Sequence, residues 1–366
     1  MYKKIVVFGG GTGISYLLRG LKDFPVDITA VIAVSDNGRS TGKLRKEFHT
    51  PAVGDIRKVI TNLSQIDEPI KDMMSYRFKT SSDLDGHAVG NLILTAMLDI
   101  TGSLKESIAS LSKILDVRHT VLPISEDSDL TLMGLDENGN IIEGEEEITQ
   151  ADAKIEKIFY KNEPKVLPEV VEAVNQADLI IFSMGSLYTS ILPNIICKEV
   201  KKALDKTKAP IMYLCNIVTQ PGETDDFTVT DHVKMLNGYL GQRKVDIVIA
   251  TLTITPQRLE VIDFSIPYDS AGQAVLVLKD SKITSIWDLA DNNVGVIFGT
   301  TAEKNMKNLV PSANLLGFKS YKEAYKALKS GAIVSITSDD SILNRFVIED
   351  DSVKLLPKRY SKEPYG

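Results

Sequence analysis

Four glycines in five residues, Gly9-Gly-Gly-Thr-Gly13, follow directly on the apolar run Ile5-Val-Val-Phe8. A strand that runs into glycines and then into Leu17, Leu18 and Leu21 at helical spacing is the pattern of a βα unit whose turn takes a phosphate. Glycine lets the backbone approach the oxygens, and the helix start presents free N–H groups at the positive end of its dipole. The spacing Gly9-x-Gly11-x-Gly13 is tighter than the dinucleotide fingerprint, with Ile14 at the third-glycine position, and no Lys-Ser/Thr pair follows as a Walker loop requires. Two readings stay open at this stage, a phosphate cradle and a plain tight strand-to-helix turn. Asp36, at the end of the second apolar run Ile28 to Val34, stands where nucleotide folds of this class place an acid near the ribose.

The 366 residues leave room for two or three domains. A formal net charge of −7 argues against broad binding to nucleic acid or to an anionic membrane. Cys197 and Cys215 lie in apolar runs and read as buried thiols, which fits a cytoplasmic protein. The apolar stretch behind Lys3 and Lys4 is too short for a secretory signal, and no run reaches the length of a membrane span.

Strand and helix patterns alternate through the first part of the chain. After the glycine turn come strand Ile28 to Val34, a polar loop Asp36 to Gly42, and Gly54-Asp-Ile-Arg57 opening a helix. Helical patterns recur at Gly90 to Leu98 and Ser107 to Leu115. Residues 120 to 160 read as a small antiparallel excursion. The buried runs Ala177 to Phe182 and Pro210 to Asn216 each end in small polar residues. This predicts an α/β fold with a doubly wound, Rossmann-like parallel sheet, and a ligand crevice where the loops near 9, 36, 183 and 216 converge. From about Val245 a second, smaller α/β lobe follows, with strand–helix units around 294–309, 315–328 and 333–347.

Several residues have a bland reading beside a functional one. Asp55 and Arg57 follow a glycine at a helix start, where an acid favours the dipole whatever its function. His87 and Asn91 flank Gly90 as structural polar residues or as ligand contacts. Gly185-Ser-Leu resembles half of a nucleophile elbow, but Tyr188 replaces the second glycine, so the Ser186 hydroxyl reads as a phosphate donor and not as a nucleophile. Asn216, Thr219 and Gln220 are placed to read a base or sugar, with Gly222-Glu-Thr224 as a cap for the next helix. The run Glu145-Glu-Glu147 reads as a solvated face and Trp287 as core packing.

The ordered set Gly9–Gly13, Asp36-Asn-Gly-Arg-Ser-Thr-Gly-Lys-Leu-Arg45, Gly54–Arg57, Tyr76-Arg-Phe78, Gly86-His-Ala-Val-Gly-Asn91, Gly185-Ser-Leu-Tyr-Thr-Ser190 and Asn216–Thr224 resembles the CofD-like/YvcK family over residues 1–244. The resemblance implies a nucleotide-conjugate-binding domain. Its YvcK branch points to a non-enzymatic regulator that binds a UDP-sugar such as UDP-N-acetylglucosamine and is linked to gluconeogenic growth and cell shape. Its CofD branch points to a phospholactyl transferase. Carried onto this chain, the binding residues are Gly10, Gly11, Thr12 and Gly13 at the diphosphate, Asp36 near the ribose or a divalent cation, then Asn37, Asp55, Arg57, His87, Asn91, Gly185, Ser186, Thr189, Asn216 and Thr219. No catalytic residue and no protein-held metal is assigned, and a homo-oligomer is expected. The chain departs from the family wording at Ser35, Arg39, Lys58 and Ser183-Met184.

Residues 245–366 instead resemble one lobe of bacterial amino-acid-binding solute receptors, through Ala250-Thr-Leu-Thr-Ile-Thr-Pro-Gln-Arg258, Asp263-Phe-Ser-Ile-Pro-Tyr268, Gly299-Thr-Thr-Ala302 and Ser338-Asp-Asp-Ser-Ile-Leu343. That resemblance implies an amino-acid ligand, its carboxylate on Arg258, Thr253, Thr300 and Thr301 and its ammonium on Asp339. It also leaves the lobe short of its return strand at Pro364-Tyr-Gly366, as in a fused or recombinant chain.

Overall fold

A computed structural model of the chain describes residues 2–151, 153–216, 219–220, 222–225 and 227–366, and the backbone but not the side chain of Arg39. Ile217, Val218 and Pro221 of the Asn216–Thr224 motif thus lie outside the described residues. The chain divides into two compact units, Met1–Ala250 and Thr251–Gly366.

The first unit is built on a parallel sheet of six strands: β1 (Lys3–Gly9), β2 (Val26–Ile32), β3 (Thr120–Pro123), β7 (Leu179–Phe182), β8 (Ile211–Leu214) and β9 (Ile247–Ile249), in the order β3-β2-β1-β7-β8-β9. Every pairing in it is parallel. Consecutive residues Val6, Val7 and Phe8 are all buried, so β1 is covered on both faces, which is why its sequence is a continuous apolar run and not an alternating one. The chain winds outward from β1 to β3, then crosses back to β7 and winds the other way. Strand order therefore reverses between β1 and β7, and the crevice at their carboxyl ends is the place where such sheets bind ligands.

Thr120–Pro123 corrects the sequence reading, since it is the edge strand of the main sheet beside β2. Only β4 (Leu132–Asp136), β5 (Ile141–Glu143) and β6 (Ile155–Tyr160) form the antiparallel excursion, in the order β5-β4-β6. The helices that matter for the crevice are α1 (Gly11–Leu21), α2 (Arg39–Phe48), α3 (Gly54–Leu63), α4 (Glu68–Ser75) and α5 (Val89–Thr101). The stretch 36–42 is therefore only a loop as far as Gly38, and the rest is the first turn of α2.

In the second unit β10 (Asp269–Ala271) pairs with β16 (Glu363–Tyr365) as a two-stranded ribbon. A five-stranded sheet joins β11 (Gln273–Leu278), β12 (Asn293–Ile297), β13 (Asn314–Phe318), β14 (Ser335–Asp339) and β15 (Val353–Leu355) in the order β13-β12-β14-β11-β15. Along β11 the side chains alternate between two cores, Ala274 and Leu276 on one face with Leu328 and Leu343, Val275 and Val277 on the other with Leu289 and Met306. Glu363–Tyr365, at the Pro364-Tyr-Gly366 end, forms a short antiparallel pairing with β10. Trp287 is also corrected: it is 63% exposed. A capping box between Ser285 and Asp288 fixes the short turn Ile286–Leu289, and Leu289 is the residue it buries.

Both cysteines are buried free thiols. Among the described residues, no helix is long and apolar enough to cross a membrane.

Candidate functional site at the switch point

The glycine turn is clamped from three sides. Gly9 O accepts from Ala33 N at 3.3 Å, beyond β2, and from Asn194 Nδ2 at 3.4 Å, while Ser183 N beyond β7 donates to Phe8 O at 3.0 Å. A Cβ on Gly13 would lie 2.0 Å from Met184 O, so only glycine lets α1 approach the β7 loop this closely. Gly11 sits at φ +66 as the first residue of α1, behind an extended Gly10. The first turn of α1 carries no acidic side chain of its own.

Asp55 supplies that acid from another helix. It does not cap α3; one carboxylate oxygen accepts from Gly11 N at the start of α1, and the other pairs with Lys58 Nζ at 2.9 Å. Asp36 takes Gly38 N at 2.9 Å. Burial, with Asp55 as a negative neighbour, lifts the Asp36 carboxyl above its usual range. Glu145 takes the Ser35 hydroxyl at 3.2 Å, and burial followed by the charges of Asp36 and Asp55 holds its carboxyl well above the usual range. The acidic run is thus not simply a solvated face, because its first member turns into the crevice. Asn37 binds the short helix Glu145–Thr149, donating to Glu147 at 2.8 Å and accepting from Glu146 N at 2.9 Å. Among the described residues, no group of three or more His, Cys, Asp or Glu side chains is arranged to hold a metal ion.

A second wall is cationic. Arg57 is 4% exposed, and no carboxylate pairs with it among the described residues; its Nε donates to Asn91 at 3.2 Å and its Nη1 to Ser75 at 3.1 Å. Burial, with the charge of Arg77 nearby, lowers its pKa to about 10. Asn91 donates to Ser40 Oγ at 3.3 Å, and Ser40 in turn bonds His87 Nδ1 at 3.0 Å, so His87 and Asn91 belong to one buried chain that orients the guanidinium. Between this wall and the acidic one lies a cleft of about 360 Å³, lined by Asp36, Thr41, Arg57, Lys58, Arg77 and Glu145 among others.

The β7 and β8 loops border the glycine turn, with Met184 against Gly13 and Ser190 against Gly10. Asn216 grips Gly185 reciprocally, accepting from its N–H at 3.0 Å and donating to its carbonyl at 2.7 Å. Ser186 accepts from Thr189 N at 2.9 Å and Thr189 Oγ1 at 2.6 Å, and donates to Glu223 at 2.5 Å. Glu223 is 1% exposed and also accepts from Thr149 and Gln220. It is no helix cap: Thr228 caps the next helix, Val229–Leu240, through a capping box with Asp231. Glu145, Glu223, Ser40 and Asn194 are the residues the sequence reading missed. Glu223 sits within a quoted motif, but nothing local distinguishes a cap from a carboxylate that folds back across the sheet edge. Thr12 and Thr219 are exposed.

In the second unit, Arg258 donates to Thr253 O at 2.7 Å and lies within the field of Glu363 and Asp339. Thr300 caps helix Thr301–Leu309, and Thr301 takes Gln273 Nε2 at 3.0 Å. Asp339 accepts the Tyr365 hydroxyl at 2.5 Å. Both positions assigned to the charged ends of an amino acid therefore already carry partners from the chain itself.

These motifs extend to whole families. The family described as 2-phospho-L-lactate transferase CofD matches residues 5–269. The chain belongs to the CofD family. Bacterial extracellular solute-binding proteins of family 3 match residues 226–350, so the two matches overlap from 226 to 269, around the shared strand wording at Val245. The gluconeogenesis factor of Bacillus subtilis (strain 168) is 43% identical over 291 residues, spanning 77% of this chain and 91% of its own. That of Halalkalibacterium halodurans is 44% identical over 245 residues, 67% of this chain and 76% of its own. A crystal structure of a Bacillus halodurans protein superposes with a TM-score of 0.67 at 42% identity, covering 70% of this chain and 83% of that one.

Proposed function

We propose that the first unit binds a nucleoside diphosphate sugar of the UDP-N-acetylglucosamine type in the switch-point crevice, and that the protein acts in the cytoplasm as a regulator of gluconeogenic growth and cell shape. The observation that carries this reading is that α3 sets Asp55 on the glycine-opened start of α1 and carries, two residues on, a buried guanidinium, Arg57, that has no carboxylate partner among the described residues. A buried arginine costs free energy to desolvate, and an anionic ligand repays it. In this reading Gly10 to Gly13 and Arg57 hold the diphosphate, Asp36 takes the ribose, and Ser186, Thr189 and Asn216 close the far side.

The charge balance supports a diphosphate conjugate over a triphosphate. Arg57, Lys58 and Arg77 line the cleft with Asp36, Glu145 and Glu146, so its cations are matched by carboxyl groups that limit surplus phosphate charge and accept hydrogen bonds from sugar hydroxyls. The relatives named gluconeogenesis factor support the regulatory role. Calorimetric titration of the full chain with UDP-N-acetylglucosamine, GDP and NAD decides the matter. Saturable binding of the UDP-sugar is expected, and binding of GDP or NAD in its absence sinks the reading.

The family match gives one observation in favour of phospholactyl transfer, with a divalent cation near Asp36 and Asp55. Product formation from a guanosine diphosphate conjugate and a deazaflavin acceptor is its signature.

A further inference from the structure

The first N–H of α1 already has an anionic partner. Gly11 N, the first free donor of an eleven-residue helix, donates to a carboxylate that arrives from α3, forty-four positions along the chain. Helix starts need such an acceptor, and acids usually provide it locally. Here α1 has none, and Asp55 stands in from a distance while its second oxygen rests on Lys58. It does so among like charges, since Asp36 and Glu145 both lie within its field.

We propose that Asp55 is an internal competitor for the phosphate position, and that ligand binding swings its carboxylate off Gly11 N while Lys58 keeps hold of it. This rests on the nucleotide-diphosphate reading above. The exchange replaces one anion by another at Gly11, so the helix start alone yields little net affinity. An anion with a single contact, such as inorganic phosphate, gains nothing by displacing Asp55. A diphosphate conjugate gains further contacts at Arg57 and the β7 loop and displaces it. Asp55 thus sets selectivity against free inorganic anions, and moving it away relieves its repulsion with Asp36 and Glu145.

Asp55→Asn tests this, because the amide still accepts from Gly11 N but no longer competes as a charge. Asp55→Ala serves as a second variant, and thermal melting checks that each is folded. Titration of the full chain with UDP-N-acetylglucosamine and with inorganic pyrophosphate is expected to show affinity rising about tenfold in Asp55→Asn, with the larger relative gain for pyrophosphate. If the UDP-sugar binds the parent and binds the variants equally or more weakly, Asp55 is no competitor and the ligand reading stands alone. If only pyrophosphate binds, and binds the variants more tightly, the competitor role holds and the UDP-sugar reading falls. If nothing binds any of the three proteins, both fall.

Discussion

Gly13 is held at the carbonyl of Met184, and the contact leaves no room for a side chain. Gly13→Ala must push α1 and the β7 loop apart, and the cost of such overpacking is about 1–3 kcal/mol, read as a lower denaturation midpoint at unchanged slope. Glu145 makes a prediction in pH. Its folded carboxyl is raised above the unfolded value by burial first and then by Asp36 and Asp55, so the folded state binds the extra proton and stability falls as pH rises through that window. Glu145→Gln is therefore expected to melt at a higher temperature than the parent near pH 8, the gain vanishing below about pH 4, where both states of the parent are protonated. A variant that is less stable at both ends would mean that Glu145 acts through contacts and not charge. The glycine turn was legible in the sequence because glycine spacing is local. Glu145 and Glu223 were not, because what distinguishes a surface acid from one facing a crevice is the chain more than a hundred residues earlier, or the far strand, that buries it.

Among elements, the β7 loop is tied down in part by Asn216, just beyond β8. Asn216 makes two hydrogen bonds to Gly185, so Asn216→Ala frees the loop from one side. Loss of a part-buried pair of this kind costs about 1 kcal/mol, and amide exchange should rise across Ser186–Ser190 without a matching rise in α3. Uniform exchange across the unit would instead mark a general loss of stability. The parallel strands were legible from their continuous apolar runs, as were the helices of the second unit from their spacing. Thr120–Pro123 was misplaced because four residues do not reveal whether their partner is a neighbouring hairpin or β2, ninety residues upstream. The outward turn of Trp287 followed from a capping box that outranks hydrophobicity in a four-residue turn.

At the scale of the molecule, the two units have separate hydrophobic cores, one drawn from residues before 251 and two from residues after 270. Residues 1–250 expressed alone are expected to retain a cooperative thermal transition and the affinity of the full chain for UDP-N-acetylglucosamine; loss of binding with the fold retained would place part of the site beyond Ala250. In the proposed function the nucleotide conjugate sits where strand order reverses. Hydrogen–deuterium exchange on the full chain, with and without UDP-N-acetylglucosamine, tests that placement. Protection is expected at Gly10–Gly13, at Asp55–Lys58 and at Gly185–Thr189, whereas saturable binding that protects none of these and slows exchange elsewhere would contradict it.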